Sequence, residues 1–168
     1  MKVIFLDFNG VLDTYEKMNE IDSENLKRLK KIVDLTGAKI VISSSIKNSY
    51  WYLGCMSTML KMLVDTLTEN GMEVIGFTPL CKSREEEIIS YLESNDDISN
   101  YVILDDDYDM PLLQDHLVKL PSQSIGITQT GLQDEHVEEA INILGVVLEV
   151  DDNKKLVKRM ESDVNDNS

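Results

Sequence analysis

Val3-Ile4-Phe5-Leu6-Asp7-Phe8-Asn9-Gly10-Val11-Leu12 begins with four apolar residues and delivers an acid, an amide and a glycine. An unbroken apolar run of this kind, bounded by a glycine turn, is the pattern of a strand buried on both faces of a parallel sheet. In open sheets of that class, ligands bind outside the carboxyl ends of the strands. Asp7 is therefore expected at such an end, with Gly10 allowing a tight backbone turn just beyond it.

Outward from this stretch the pattern repeats. Asp22-Ser23 read as the N-cap of a helix carrying Leu26, Leu29, Ile32, Val33 and Leu35, which Gly37 ends. Lys39-Ile40-Val41-Ile42 is a second buried strand, and it delivers Ser43-Ser44-Ser45 where the first delivers Asp7. A helical pattern from about Tyr50 to Glu69 follows, and its periodicity places its methionines and aromatics in the core with Leu60, Leu63 and Leu67. Asn70-Gly71 breaks it, and Glu73-Val74-Ile75-Gly76-Phe77 reads as a third strand ending at Thr78-Pro79. Ser83 and Glu86 form a capping box for a helix through Ile88, Ile89 and Leu92, with Arg84 in its first turn. Tyr101-Val102-Ile103-Leu104 is a fourth strand that hands over to Asp105-Asp106-Asp107. A short helix around Met110 to His116, a fifth strand over Ser124-Ile125-Gly126-Ile127-Thr128 and a helix from about Gln133 to Leu144 continue the alternation.

Strands alternating with helices predict a three-layer, Rossmann-like α/β domain around a mostly parallel five-stranded sheet. The core is expected over residues 1–145. Residues 146–168 read as an extension in which Val146 to Val150 pair as an edge strand, Asn153 to Met160 form a helix and the last residues fray. The segment from Val11 to Ile21 is too short for an inserted cap domain, and one helix and one strand account for the stretch between Ser43 and Arg84. Little or no cap is expected.

A chain of 168 residues can bury a core that needs no staple. Cys55 and Cys81 have neither metal-ligand nor redox spacing, which predicts reduced thiols; with no signal-peptide or membrane-spanning run, a cytoplasmic location away from the membrane follows. The formal net charge of −15 argues against strong non-specific binding to nucleic acid. Glu85-Glu86-Glu87 and Glu135, Glu138 and Glu139 lie on predicted helices as solvated faces, whereas Asp105-Asp106-Asp107 with Asp109 follow a strand and need a cation. His116 and His136 have no partner at a meaningful spacing and read as ordinary side chains rather than acid-base groups.

These strand ends and one helix start supply groups with distinct uses in phosphoryl transfer. Asp7 can attack phosphorus. Asp105 and Asp106, with Asp7, can hold Mg²⁺, which commonly takes one or two carboxylates plus substrate phosphate oxygens. Ser43 can hydrogen-bond a phosphate oxygen with Ser44 and the adjacent backbone amides beside it, and Arg84 can neutralise negative charge next to the metal.

In this order the residues resemble the motifs of the haloacid dehalogenase (HAD) superfamily of phosphohydrolases. That family's first motif is a hydrophobic strand ending in Asp-x-Asp-Gly-Val or a close variant, here Asp7-Phe8-Asn9-Gly10-Val11. Its second is a strand-terminal Ser or Thr, here Ser43, and its third a Lys or Arg near a helix start, here Arg84 with Lys82 in reserve. Its fourth is an acidic pair after another strand, here Asp105-Asp106. More narrowly, Ser43-Ser44-Ser45, Thr78-Pro79 and Leu104-Asp105-Asp106-Asp107 are similar to the HAD domain of multifunctional Swiss Army Knife RNA repair proteins, with Ile46-Lys47 where that domain carries an aromatic and an arginine.

The resemblance implies that Asp7 is nucleophile and metal ligand, that the backbone carbonyl of Asn9 is a second ligand, and that Asp105 and Asp106 add carboxylate support. Asn9 is the departure, because the family's phosphatases carry there an aspartate that protonates the leaving group and later deprotonates the attacking water. An amide donates a hydrogen bond yet cannot usefully exchange a proton at neutral pH. General acid-base catalysis is typically worth about 10² to 10⁴ in rate, so turnover is expected to be slowed. The expectation is a Mg²⁺-dependent phosphomonoesterase or phosphotransferase working through phospho-Asp7; its rival is a catalytically weak phosphate-binding or regulatory module. Capless members often accept large substrates, which implies a macromolecular phosphate end, and the RNA-repair resemblance points to a nucleic-acid phosphate.

Overall fold

The computed structural model describes residues 1–122, 130–151, 153 and 155–159. Strands β1 (Lys2–Leu6), β2 (Lys39–Ile42), β3 (Val74–Phe77), β4 (Asn100–Asp105) and β5 (Leu117–Lys119) form one five-stranded sheet in the order β3-β2-β1-β4-β5. Every pairing in it is parallel. The helices are α1 (Ser23–Thr36), α2 (Asn48–Leu53), α3 (Thr58–Glu69), α4 (Arg84–Glu93) and α5 (Asp134–Ile143), with short 3-10 turns at Ser45–Lys47 and Pro111–His116. The chain builds from β1 through β2 to β3 and then returns, so that β4 lies on the other side of β1. The order reverses between β1 and β4, and the crevice outside their carboxyl ends is the place where sheets of this class bind ligands.

Because side chains alternate along a strand, the apolar runs serve two layers at once. Ile4, Leu6, Ile40, Ile42, Val102 and Leu104 belong to one core with Leu29 and Ile32 of α1, Leu60 and Leu63 of α3, and Val137 and Ile141 of α5. Val3, Phe5, Val41 and Ile103 belong to the other, with Ile88 of α4 and Met110 and Leu113 around the second 3-10 turn. Phe5 also meets Tyr91 and Tyr101 edge-on at 5.7 and 5.8 Å.

Three local expectations change. The helix expected from Tyr50 to Glu69 is two helices: Gly54 adopts the left-handed conformation (φ 69°) and donates its N–H to the Tyr50 carbonyl, and Ser57 then caps α3 by accepting from the Leu60 amide. Leu60, Leu63 and Leu67 are buried as expected, whereas Trp51, Tyr52, Leu53 and Met56 are exposed rather than in the core. Trp51 is nonetheless pinned, its indole N–H donating to the Thr78 carbonyl at 3.0 Å. In place of the helix expected over Asn153 to Met160, β7 (Leu156–Lys158) pairs antiparallel with β6 (Leu148–Val150) as a separate two-stranded sheet. Asp151 turns the chain between them by accepting from the amides of Asn153 and Lys155, a local bond that competes with helix formation. Glu86 does not close its capping box: Ser83 accepts from the Glu86 amide, but the Glu86 carboxylate accepts from the Lys82 amide instead. The strand expected over Ser124 to Thr128 lies outside the described residues; the fifth position in the sheet is held by Leu117–Lys119. Cys55 and Cys81 are exposed free thiols, and among the described residues no helix is long and apolar enough to cross a membrane.

Candidate active site

Sheet register builds the site. Leu6 is paired with Ile42 of β2 and with Leu104 of β4, and Ile42 is paired with Phe77 of β3. The next residue on each strand is therefore Asp7, Ser43, Asp105 and Thr78, and parallel pairing sets the four in one row across the sheet. Backbone bonds continue the ladder through this row: Asp7 donates to the Leu104 carbonyl, Ser43 to Leu6 and Thr78 to Ile42, at 3.0 to 3.1 Å. The strand ends thus deliver their polar residues at the β1/β4 reversal point.

Arg84 joins them from the first turn of α4, whose start is fixed by the Ser83 cap. It is buried, with Nη1 3.7 Å from Asp7 Oδ1 and 3.4 Å from Asp105 Oδ2, and Nε 3.6 Å from Glu87 Oε2. The Tyr108 ring covers its guanidinium at 4.8 Å, a cation-π contact that holds the plane. Lys82, the reserve cation, is exposed and does not join this row. Glu87, expected on a solvated face, is instead buried and accepts on Oε2 from Lys47 Nζ at 2.9 Å and Thr78 Oγ1 at 3.4 Å, with Arg84 Nε paired to the same oxygen. Lys47 is only 1 % exposed. A buried lysine and arginine are thus bracketed by one carboxylate beside Asp7, an arrangement that leaves a large penalty if either side is removed.

Burial crowds the acids. Asp7 is pushed up to about 6 from its ordinary 3.8, first by desolvation and then by Asp105, against the pull of Arg84, a Ser44 hydrogen bond and the Phe8 amide. Asp105 is also raised by burial, opposed by Arg84 and by the amides of Asp107 and Tyr108. Asp7, Asp105 and Asp106 each offer a carboxylate oxygen within 4.8 Å of the others. An all-oxygen donor set of this charge suits a hard divalent cation, and such a cation would relieve the repulsion that raises Asp7. The residues fit Mg²⁺.

Fewer of the groups expected to meet a phosphate are free to do so than the sequence suggests. The Ser43 hydroxyl is fully buried with no hydrogen-bond partner among the described residues, a situation that costs about 1–3 kcal/mol and that a phosphate oxygen would relieve. The backbone amides of Ser43 and Ser44 both donate to the Leu6 carbonyl, at 3.0 and 3.3 Å, so neither is the free amide expected beside that hydroxyl. The Ser44 hydroxyl is turned to Asp7.

Asn9 is held by a residue that sequence reasoning missed. Asp13 is 1 % exposed and takes the Gly10 amide on Oδ1 at 2.6 Å, and the Asn9 Nδ2 and Asn19 amide on Oδ2 at 2.7 and 2.9 Å. Asn9 Nδ2 also donates to Asn19 Oδ1, which fixes the orientation of the amide because both of its partners are acceptors. The loop is closed from behind by Gly131 (φ 71°), where an added Cβ would meet Asn25 Nδ2 at 2.2 Å and the Asp13 carbonyl at 2.7 Å. Asp13 carries a visible signal, since it lies three residues past Gly10 in the same turn. Lys47 and Glu87 carry none, because their pairing is a tertiary contact between residues forty apart.

No curated protein and no solved structure matches the chain. One family model does, and its span includes every group in the row and both cations around it. The match covers residues 3–137, most of the chain, and on that basis the protein belongs to the family described as the HAD domain in Swiss Army Knife RNA repair proteins.

Proposed function

We propose that the protein is a Mg²⁺-dependent phosphohydrolase that acts on phosphomonoesters through a phospho-Asp7 intermediate, with turnover slowed by Asn9. The observation that carries this reading is the convergence of Asp7, Asp105 and Asp106 with a buried Arg84 and a Ser43 hydroxyl that has no hydrogen-bond partner among the described residues. Bound at the three carboxylates, Mg²⁺ would polarise a phosphoryl oxygen and offset its charge. An Asp7 oxygen forms a bond to phosphorus as the bond to the leaving oxygen breaks, and that oxygen leaves with the bonding electrons. Arg84 and the Ser43 hydroxyl hold the remaining phosphoryl oxygens through this step. Water then attacks phosphorus, the bond to Asp7 breaks, and inorganic phosphate and the free carboxylate are regenerated.

In both steps the residue two past Asp7 would ordinarily move a proton, and Asn9 cannot. Esters of good leaving groups react first and leave a slowly hydrolysed phosphoenzyme. Membership of a family described from RNA repair proteins supports a nucleic-acid phosphate as substrate, and the net charge of −15 favours recognition of a phosphate end over tracking along a backbone. An aryl phosphate with Mg²⁺ should give a burst of phenol equal to the enzyme present, then a slow steady rate, with acid-quenched protein carrying a phosphate that Asp7→Asn abolishes. Fast steady turnover of an alkyl phosphate with no trapped intermediate would overturn it. A second reading, a phosphate-binding module without turnover, is favoured by the locked Asn9 amide; binding of phosphate without any burst would support it.

A further inference from the structure

A cavity of about 140 Å³ lies beside Arg84, which reaches Asp7 and Asp105 on its other side, and its lining also includes Lys47, Lys82, Glu87 and Tyr108. We propose that this cavity is a second anionic subsite, so that the preferred substrates carry a phosphate or comparable anion a short distance from the phosphoryl group attacked by Asp7. The inference rests on the phosphohydrolase reading and specifies its substrate class.

Three cations and one carboxylate face this space, in a chain with 31 acidic and 16 basic residues. Lys47 and Arg84 share that carboxylate, Glu87, while the Lys82 ammonium makes no ion pair among the described residues. Arg84 spans the two compartments: its Nη1 faces Asp7 and Asp105, and its Nε faces Glu87. The cavity's volume of about 140 Å³ has room for one phosphate group and its linking atoms. A cationic or apolar leaving group gains nothing from this lining. An anionic one gains charge-assisted hydrogen bonds on the far side of Arg84 from the metal carboxylates.

The second anion can belong to a small bisphosphate or to the neighbouring phosphodiester of an oligonucleotide. Calorimetry of the full chain with Mg²⁺, using the hydrolysis-inert probes methylphosphonate and propane-1,3-bisphosphonate, tests the subsite without turnover. The bisphosphonate is expected to bind at least about tenfold more tightly than methylphosphonate, a ratio within the reach of one added charge-assisted contact. Lys82→Ala should bring that ratio close to one, and Lys82→Arg should keep it. Displacement of the bisphosphonate by a nucleoside bisphosphate in preference to a phosphate-ended dinucleotide assigns the second anion to a small molecule, and the reverse order assigns it to a nucleic-acid backbone; either supports the subsite. Methylphosphonate binding with an equal bisphosphonate affinity, or a preference untouched by Lys82→Ala, overturns the subsite and leaves the phosphohydrolase reading standing. Binding of neither probe overturns both.

Discussion

Asn9 and Asp13 decide what the substitution in the first motif means. The Asn9 amide lies 2.7 Å from Asp13 Oδ2 and 2.9 Å from Asn19 Oδ1, so the loop presents acceptors to position 9. A carboxylate placed there would face a buried carboxylate, and two acids at that distance cannot both ionise near neutrality. In Asn9→Asp one proton is therefore shared with Asp13, and the new acid titrates well above the usual carboxylate range. That is the property a general acid needs, so Asn9→Asp is expected to raise steady turnover of an alkyl phosphate by about 10² to 10⁴. The alkaline limb of its pH profile should move down when Asp13→Asn is added, because the repulsion is gone; a profile indifferent to Asp13 would refute the pairing. The sequence displayed Asn9 as a departure from the family motif, with Asp13 close by in the same turn, but not their hydrogen bond, because the closure of that turn depends on Asn19 and Gly131.

Elements place these residues by register, and register is the part most legible in sequence. Apolar runs with a polar residue at their carboxyl ends mark β1, β2 and β4, and parallel pairing then brings Asp7, Ser43 and Asp105 together. Periodicity was a poorer guide where local caps compete with it: Gly54 and Ser57 split the long helix, and Asp151 replaces a helix with a hairpin. Glu87 and Lys47 were illegible for a different reason, since a glutamate at a helix surface looks solvated until a buried cation is found against it. α5 has a related device at its start. His136 Nδ1 accepts the Gln133 amide at 3.0 Å, a bond that requires the nitrogen to be unprotonated, and burial lowers the affinity of the ring for a proton. The unfolded chain then takes up this proton at a higher pH than the folded protein. The stabilisation is complete above the ordinary value of 6.5 and is lost as the pH falls through the depressed folded value. His136→Ala should cost about 1 kcal/mol in urea titrations near neutrality, as other helix caps do. The gap between wild type and variant should narrow on acidification to about pH 5; a gap that is constant across this range would show that the cap does not depend on the neutral ring.

For the whole molecule, the same crowding of acids sets a balance between stability and metal. A net charge of −15 already opposes compaction, and Asp7, Asp105 and Asp106 concentrate part of it in a buried crevice. Asp7 holds its proton up to about pH 6 in the folded protein against 3.8 ordinarily, so at this carboxyl the metal-free fold binds more protons than the unfolded chain across that window. The contribution of Asp7 to the stability of the metal-free protein therefore falls as pH rises from the lower value to the higher one, and that loss is complete above it. A divalent cation binds the ionised acids and competes with the proton, so it restores at neutral pH what ionisation removes. At a hundred times its dissociation constant the gain is about 2.7 kcal/mol, which for a chain of this size raises Tm by roughly 5–10 °C. Thermal melts should therefore show a Mg²⁺-dependent rise at about pH 7.5 that shrinks strongly at about pH 5, where protons occupy the site. K⁺ at matched ionic strength should not reproduce it, and Asp105→Asn should remove most of it. A Mg²⁺ effect of equal size at both pH values, or one that survives Asp105→Asn, would locate the cation on the acidic surface instead of in the crevice between β1 and β4.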